Sequence, residues 1–251
     1  MEVVEAEVVQ QRWTPWGFWT TAGFSLAVAG VYVAIQTAVG VVFVFGMVFS
    51  GQSEDLADAA EWLENNGLLL AVATCLAAPL CVGLVTLLAW IRKPPSVRRY
   101  LALEPVSAAS LFGWVMLLGL FAAAADGLTI LLGRPVVPEF MSESYRTAVF
   151  VPLLWLALIV MAPAFEEVFF RGFVFQGIRF SRLGVIGAIA LTSLAWAACH
   201  VQYDLYQMAI IFAGGILLGL ARWRSGSLYP PLAMHAAMNV IATIQAAVSL
   251  R

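Results

Sequence analysis

The stretch Ala162-Pro163-Ala164-Phe165-Glu166-Glu167-Val168-Phe169-Phe170-Arg171-Gly172 sets two adjacent carboxylates and an arginine among phenylalanines. Within the apolar runs of this chain, ionisable groups are few: Asp126, Glu166, Glu167, Arg171, His200 and His235. On a helix, residues four apart share a face, so Glu167 and Arg171 form a pair in the favourable Glu-before-Arg order. Glu166, about 100° further round, is left facing elsewhere with an unpaired carboxylate. A carboxylate stripped of water takes up a proton more readily, which suits a general base. Trp196 precedes His200 by four residues and can pack on the imidazole. His235 and Asn239, also four apart, bring an imidazole and an amide to one wall of a helix. Each motif alone has a plainer reading: a salt bridge at a helix end, an interfacial histidine, a polar contact between helices. Together they supply a base, a second imidazole and an amide donor from three successive helices.

The elements that must position these groups are membrane spans. The chain has 251 residues, 62% hydrophobic and 11% charged, with a mean hydropathy of +0.91. A soluble domain is about 45–50% apolar and about 25% charged. Seven apolar runs approach the length needed to cross the hydrocarbon: 17–49, 67–91, 107–132, 148–165, 184–201, 207–222 and 229–248. The fourth is expected to continue as helix through the motif to residue 178. Splitting the first or fourth run would give an eighth span. The expected fold is therefore all-α, a polytopic bundle of seven to eight spans with an intramembrane cavity. It divides into an N-terminal segment (1–16), N-terminal spans (17–147) and a catalytic core (148–251).

With the N-terminus inside, ten basic residues fall on the cytoplasmic side against three outside, so the positive-inside rule favours that orientation. The N-terminus, with three glutamates before the first run, lacks a basic signal-peptide region, so that run is expected to be retained. Net charge is -2 with no basic block, which argues against a nucleic-acid partner. Cys75, Cys81 and Cys199 match neither a disulfide framework nor a CxxC zinc site and read as small core hydrophobes.

Glu166, Glu167 and Arg171 (EExxxR), Trp196 to His200 (aromatic-xxx-His) and His235 to Asn239 (HxxxN), in that order, resemble the CPBP family of intramembrane proteases. This family, also called CAAX protease and bacteriocin-processing or Abi, includes the type 2 CAAX prenyl endopeptidases. The likeness covers about residues 150–245. Trp196 stands where the family usually has phenylalanine, a change expected to alter packing rather than chemistry. The resemblance implies hydrolysis of a peptide bond within the membrane, Glu166 and His200 activating a water. His235 and Asn239 would stabilise the oxyanion, and Arg171 would hold Glu167. Members are often labelled metalloproteases, and Glu166, His200 and His235 suffice for a zinc set with one open position. The residues permit zinc without demanding it, and a glutamate-activated water without resident zinc is the favoured reading. The implied partners are the lipid bilayer and a membrane-anchored protein or lipidated peptide. The alanine-, valine- and glycine-rich composition is typical of bacteria and suggests the inner membrane, with maturation or C-terminal sorting as the role.

Other protease chemistries lack their signatures here: there is no HExxH, no GxGD after Tyr203-Asp204, and no Gly-x-Ser around Ser193. A proton-coupled transporter using Asp126, Glu166 and the histidines would show inverted repeats, which are absent from the sequence. A non-catalytic scaffold or immunity protein would have lost a motif residue. One tension remains in the spacing. At 1.5 Å per residue, His200 lies about 24 Å along its span from the inner edge and His235 about 9 Å along its own. Tilt, a short fifth span or a water-holding cavity must bring them together.

Overall fold

The computed structural model describes residues 14–51, 63 and 66–250. Most of the N-terminal segment, the acidic stretch from Glu54 to Glu64 and Arg251 lie outside the described residues. The described residues form helices and no strand. The principal ones are α1 (Phe18–Phe49), α2 (Gly67–Ile91), α3 (Ala108–Leu131), α4 (Glu139–Arg146), α5 (Val151–Arg179), α6 (Gly184–Ala198), α7 (Leu205–Ser225) and α8 (Tyr229–Ser249). Six of them, all but α4 and α6, are long and apolar enough to cross a membrane, making this an integral multi-pass bundle. The fourth run does continue through the motif, ending at Arg179.

The fifth run departs from expectation. Its helix α6 is only 15 residues long, about 22 Å at 1.5 Å per residue against a hydrocarbon core of about 30 Å. The chain then turns, His200 accepting from the Tyr203 N–H at 3.1 Å, and Asp204 caps α7 through the Gln207 N–H at 2.8 Å. His200 lies on the turn just after α6, and the Trp196 ring meets both it and His235, so the two histidines are brought together despite their different positions along their helices.

Helix α5 is not a uniform α-helix. Wide π turns at Leu156–Met161 and Glu167–Val174 flank an α segment, Ala162–Glu166. In the first π turn the Ala162 N–H reaches back five residues to the Ala157 carbonyl. The next donor in that register would be residue 163, but Pro163 has no N–H, so the Leu158 carbonyl is released from the ladder. Such π insertions are common at functional sites because they re-aim side chains relative to a regular helix.

Small residues set the close helix contacts, as expected for a bundle in lipid. Ala71, Ala73, Ala77, Ala78 and Ala89 of α2 are all buried. Between α6 and α7, a Cβ added at Gly215 would lie 2.9 Å from Ser193 Cβ and 3.1 Å from the Trp196 ring. That glycine lets α7 press Trp196 into the core. Two residues sit differently from their sequence reading. Arg222, counted among the flanking cations, is buried, donating from Nε to the Arg171 carbonyl at 3.1 Å. Cys81 is buried as expected, but Cys199 is exposed because α6 ends there and leaves it against the cavity.

A side chain at Gly67 is excluded by backbone: its Cβ would lie 1.8 Å from the Ser144 carbonyl oxygen. Gly67 also donates to Thr147 Oγ1 at 2.8 Å. Gly67→Ala should therefore push α2 from α4 and destabilise the bundle by about 1–3 kcal/mol. Thermal unfolding in detergent followed by circular dichroism checks this, and an unchanged midpoint would refute it.

Candidate active site

The expected Glu167–Arg171 pair forms, with Nη1 to Oε1 at 2.9 Å and both side chains wholly buried. The same Oε1 accepts from His235 Nδ1 at 2.9 Å, so one carboxylate oxygen joins α5 to α8. Arg171 also donates from Nη2 to the Gly215 carbonyl at 3.3 Å and lies 4.7 Å from the Trp196 ring. Contact with a carboxylate fixes the imidazole tautomer: the proton sits on Nδ1, and Nε2 is left free. That Nε2 lies 3.8 Å from Glu166 Oε2. Glu166 is turned away from the pair, with 21% of its side chain exposed, as the helical spacing predicts.

Trp196 joins these groups. Its indole N–H donates to Glu166 Oε2. Its ring meets His200 at 5.2 Å and His235 at 5.1 Å, edge-on to both. Its carbonyl takes His200 Nδ1 at 2.7 Å, so His200, like His235, presents a free Nε2. Phenylalanine at this position would pack similarly but could not donate to Glu166, so the contact adds something beyond the packing change expected. Asn239 is placed one turn beyond His235, and its Nδ2 donates to the Leu158 carbonyl at 2.6 Å. This is the carbonyl that Pro163 releases. The amide thus replaces a missing backbone donor with one hydrogen and retains a second.

Glu166, Trp196, His200, His235 and Asn239 line a cavity of about 620 Å³. Its wall is largely apolar and includes groups that the motifs did not signal. Tyr32 of α1 stacks on Phe165 at 4.7 Å with the planes 7° apart, bringing the first span into the wall. Tyr203 stacks on His200 at 6.0 Å. Burial first, and then the charge of Glu166, push the Tyr203 hydroxyl above its ordinary range, so it remains a donor. At the rim, Arg134 pairs with Asp204 at 2.7 Å and lies over the Tyr206 ring at 4.8 Å. The Asp204 carboxyl is held below its ordinary value by the Gln207 N–H and then by Arg134. Asp126 of α3 accepts from Gln245 of α8 at 2.7 Å, further along the same cavity. A lone aspartate in an apolar run was the only sequence signal for that pair.

Among the described residues, no three His, Cys, Asp or Glu side chains come close enough to hold a metal ion. Glu166 Oε2 already takes the Trp196 N–H, and the indole lies against both imidazoles.

Removing one partner of a buried ion pair leaves an uncompensated charge, at about 3–5 kcal/mol. Arg171→Met should destabilise the bundle by that order, and adding Glu167→Gln should recover much of the loss. Unfolding of the single and double variants in mixed micelles measures the coupling, and additive losses would contradict it.

Residues 148–241 match the family described as type II CAAX prenyl endopeptidase Rce1-like. The chain is also 33% identical over 181 residues to an uncharacterized 24.3 kDa protein of Escherichia coli, across 68% of this chain and 77% of that protein. No solved structure matches it. All three motifs, with Glu166, Glu167, Arg171, Trp196, His200, His235 and Asn239, fall inside the matched segment, and each contributes at least one residue to the cavity wall. The chain belongs to the Rce1-like family of type II CAAX prenyl endopeptidases.

Proposed function

We propose that this protein is an intramembrane endopeptidase that hydrolyses a peptide bond of a membrane-anchored protein or lipidated peptide. The observation that carries the reading is the division of labour between adjacent glutamates. Glu167 is consumed by Arg171 and His235, while Glu166 faces a largely apolar cavity, 3.8 Å from the free Nε2 of His235. In the mechanism, Glu166 takes a proton from a water held between it and His200 Nε2, and the oxygen attacks the scissile carbonyl. The developing oxyanion is met by the spare hydrogen of the Asn239 amide and by His235, which Glu167 holds in place. Glu166 then passes its proton to the leaving nitrogen as the C–N bond breaks. Trp196 keeps the Glu166 carboxylate oriented through both transfers. No step needs a resident metal.

The charge distribution supports a direction of access. One end of the bundle carries Arg92, Lys93, Arg98, Arg99, Arg179, Arg182, Arg222 and Arg224. The cavity rim, with Pro138, Phe140, Gln202 and Gln207, belongs to the opposite end. With the basic end in the cytoplasm, the N-terminus is cytoplasmic and the cavity is reached from the outer half of a bacterial inner membrane. That access suits the maturation or C-terminal sorting of exported, membrane-anchored proteins.

Glu166→Gln, which keeps size and removes the base, should lower turnover by about 10²–10⁴-fold. Whole-cell proteomics then reads the accumulation of uncleaved membrane-anchored proteins, and an unchanged proteome with the biological effect intact would favour a scaffold. Cleavage by the wild type should survive exhaustive chelation; its loss and recovery with zinc would reverse the metal-free reading. Trp196→Phe keeps the ring but removes the N–H. It is expected to cut the cleavage rate by about 10–100-fold, the scale of losing a positioning contact, with the unfolding midpoint nearly unchanged.

A further inference from the structure

The cavity that holds Glu166 contains a second carboxylate for which the chemistry above has no use. Asp126 is half-buried on α3, and its Oδ2 accepts from Gln245 Nε2 at 2.7 Å. Its other oxygen has no hydrogen-bond partner among the described residues, although the side chain lines the cavity. Ionisable groups inside spans are costly and are retained facing partners, water or a pathway. An amide donor offsets no charge, and among the described residues no Lys or Arg pairs with Asp126. Nor does any Lys or Arg line the cavity, whose two acidic side chains are Glu166 and Asp126. Arg134, the cation nearest the rim, is engaged by Asp204. Beside Asp126, the Thr129 and Tyr206 hydroxyls bond each other at 2.9 Å, making this end the more polar part of the wall. A low-dielectric cleft whose wall carries carboxylates and no Lys or Arg favours cationic ligands.

The distance to the reacting groups is set by α8. Gln245 lies ten residues beyond His235 on that helix, about 15 Å at 1.5 Å per residue. An extended peptide covers this distance in about four to five residues. Resting on the endopeptidase reading, we infer that Asp126, steadied by Gln245, is a specificity subsite for a cationic side chain or amino group of the substrate, about four to five residues from the scissile bond. Glu166 and Asp126 thus divide the cavity into a reacting end and a recognising end.

The test is a binding measurement, so it does not depend on turnover. Protein carrying Glu166→Gln is placed in nanodiscs and titrated with palmitoylated alanine–leucine peptides bearing one lysine at successive positions. Lysine at one favoured position should tighten Kd about tenfold over alanine, which corresponds to about 1.4 kcal/mol. Adding Asp126→Asn, which keeps an acceptor for Gln245, should abolish the difference, and Asp126→Lys should reverse the preference towards glutamate. Unfolding midpoints matching the parent exclude loss of fold. No preference for lysine at any position, absence of binding included, overturns the subsite. Lysine-selective binding with no cleavage by the wild type would instead overturn the peptidase reading.

Discussion

A single carboxylate oxygen organises this molecule. Glu167 Oε1 accepts from both Arg171 and His235, at 2.9 Å each, with no exposure to solvent. A charge so placed is tolerated only when it is compensated and hydrogen-bonded. The requirement is met by bringing α8 against α5, which delivers His235, and by directing Arg171 at the Gly215 carbonyl of α7. Arg171 in turn lies against the Trp196 ring of α6. Four helices are thereby held around one buried pair, and the cavity-lining motif residues are arranged on its periphery. Glu166 is left facing the cavity because its neighbour absorbs the cation and one imidazole nitrogen.

Backbone irregularity supports that arrangement. Pro163 interrupts the register of a π turn and leaves the Leu158 carbonyl without its backbone donor. Asn239 supplies the donor from another helix. A buried carbonyl without a partner carries a free-energy penalty, so a missing N–H on α5 becomes a constraint on the rotation of α8. That rotation is the one that also points His235 at Glu167. The defect in the helix and the assembly of the site are therefore one event.

The short α6 decides where the cavity is. A helix of 15 residues cannot span the bilayer, so the volume beyond it is enclosed by the turn at Gln202–Tyr203, the segment before α4 and the far halves of α3 and α8. Arg134 and Asp204 tie that rim together. Contributions from Tyr32 and Asp126 show that the N-terminal spans form part of the cavity wall along with the motif-bearing helices.

Local spacing determined much of this from sequence alone. Six of the seven expected spans, the continuation of the fourth through the motif, the Glu167–Arg171 pair and the outward turn of Glu166 follow from hydropathy and helical spacing, which do not depend on neighbouring helices. The tertiary structure alone decided what meets across long separations. The Trp196 N–H on Glu166, His235 on Glu167, Asn239 on Leu158 and Gln245 on Asp126 join residues 30, 68, 81 and 119 apart. Their pairing depends on how closely small residues let helices approach, and on where π turns and Pro163 re-aim one face. Hydropathy likewise did not reveal that α6 ends early, that Arg222 is buried or that Cys199 faces the cavity, because it reports the apolar content of a run and not the partners that enclose it. Periodicity assigns a side chain to a face; only the packing of helix against helix decides what that face touches.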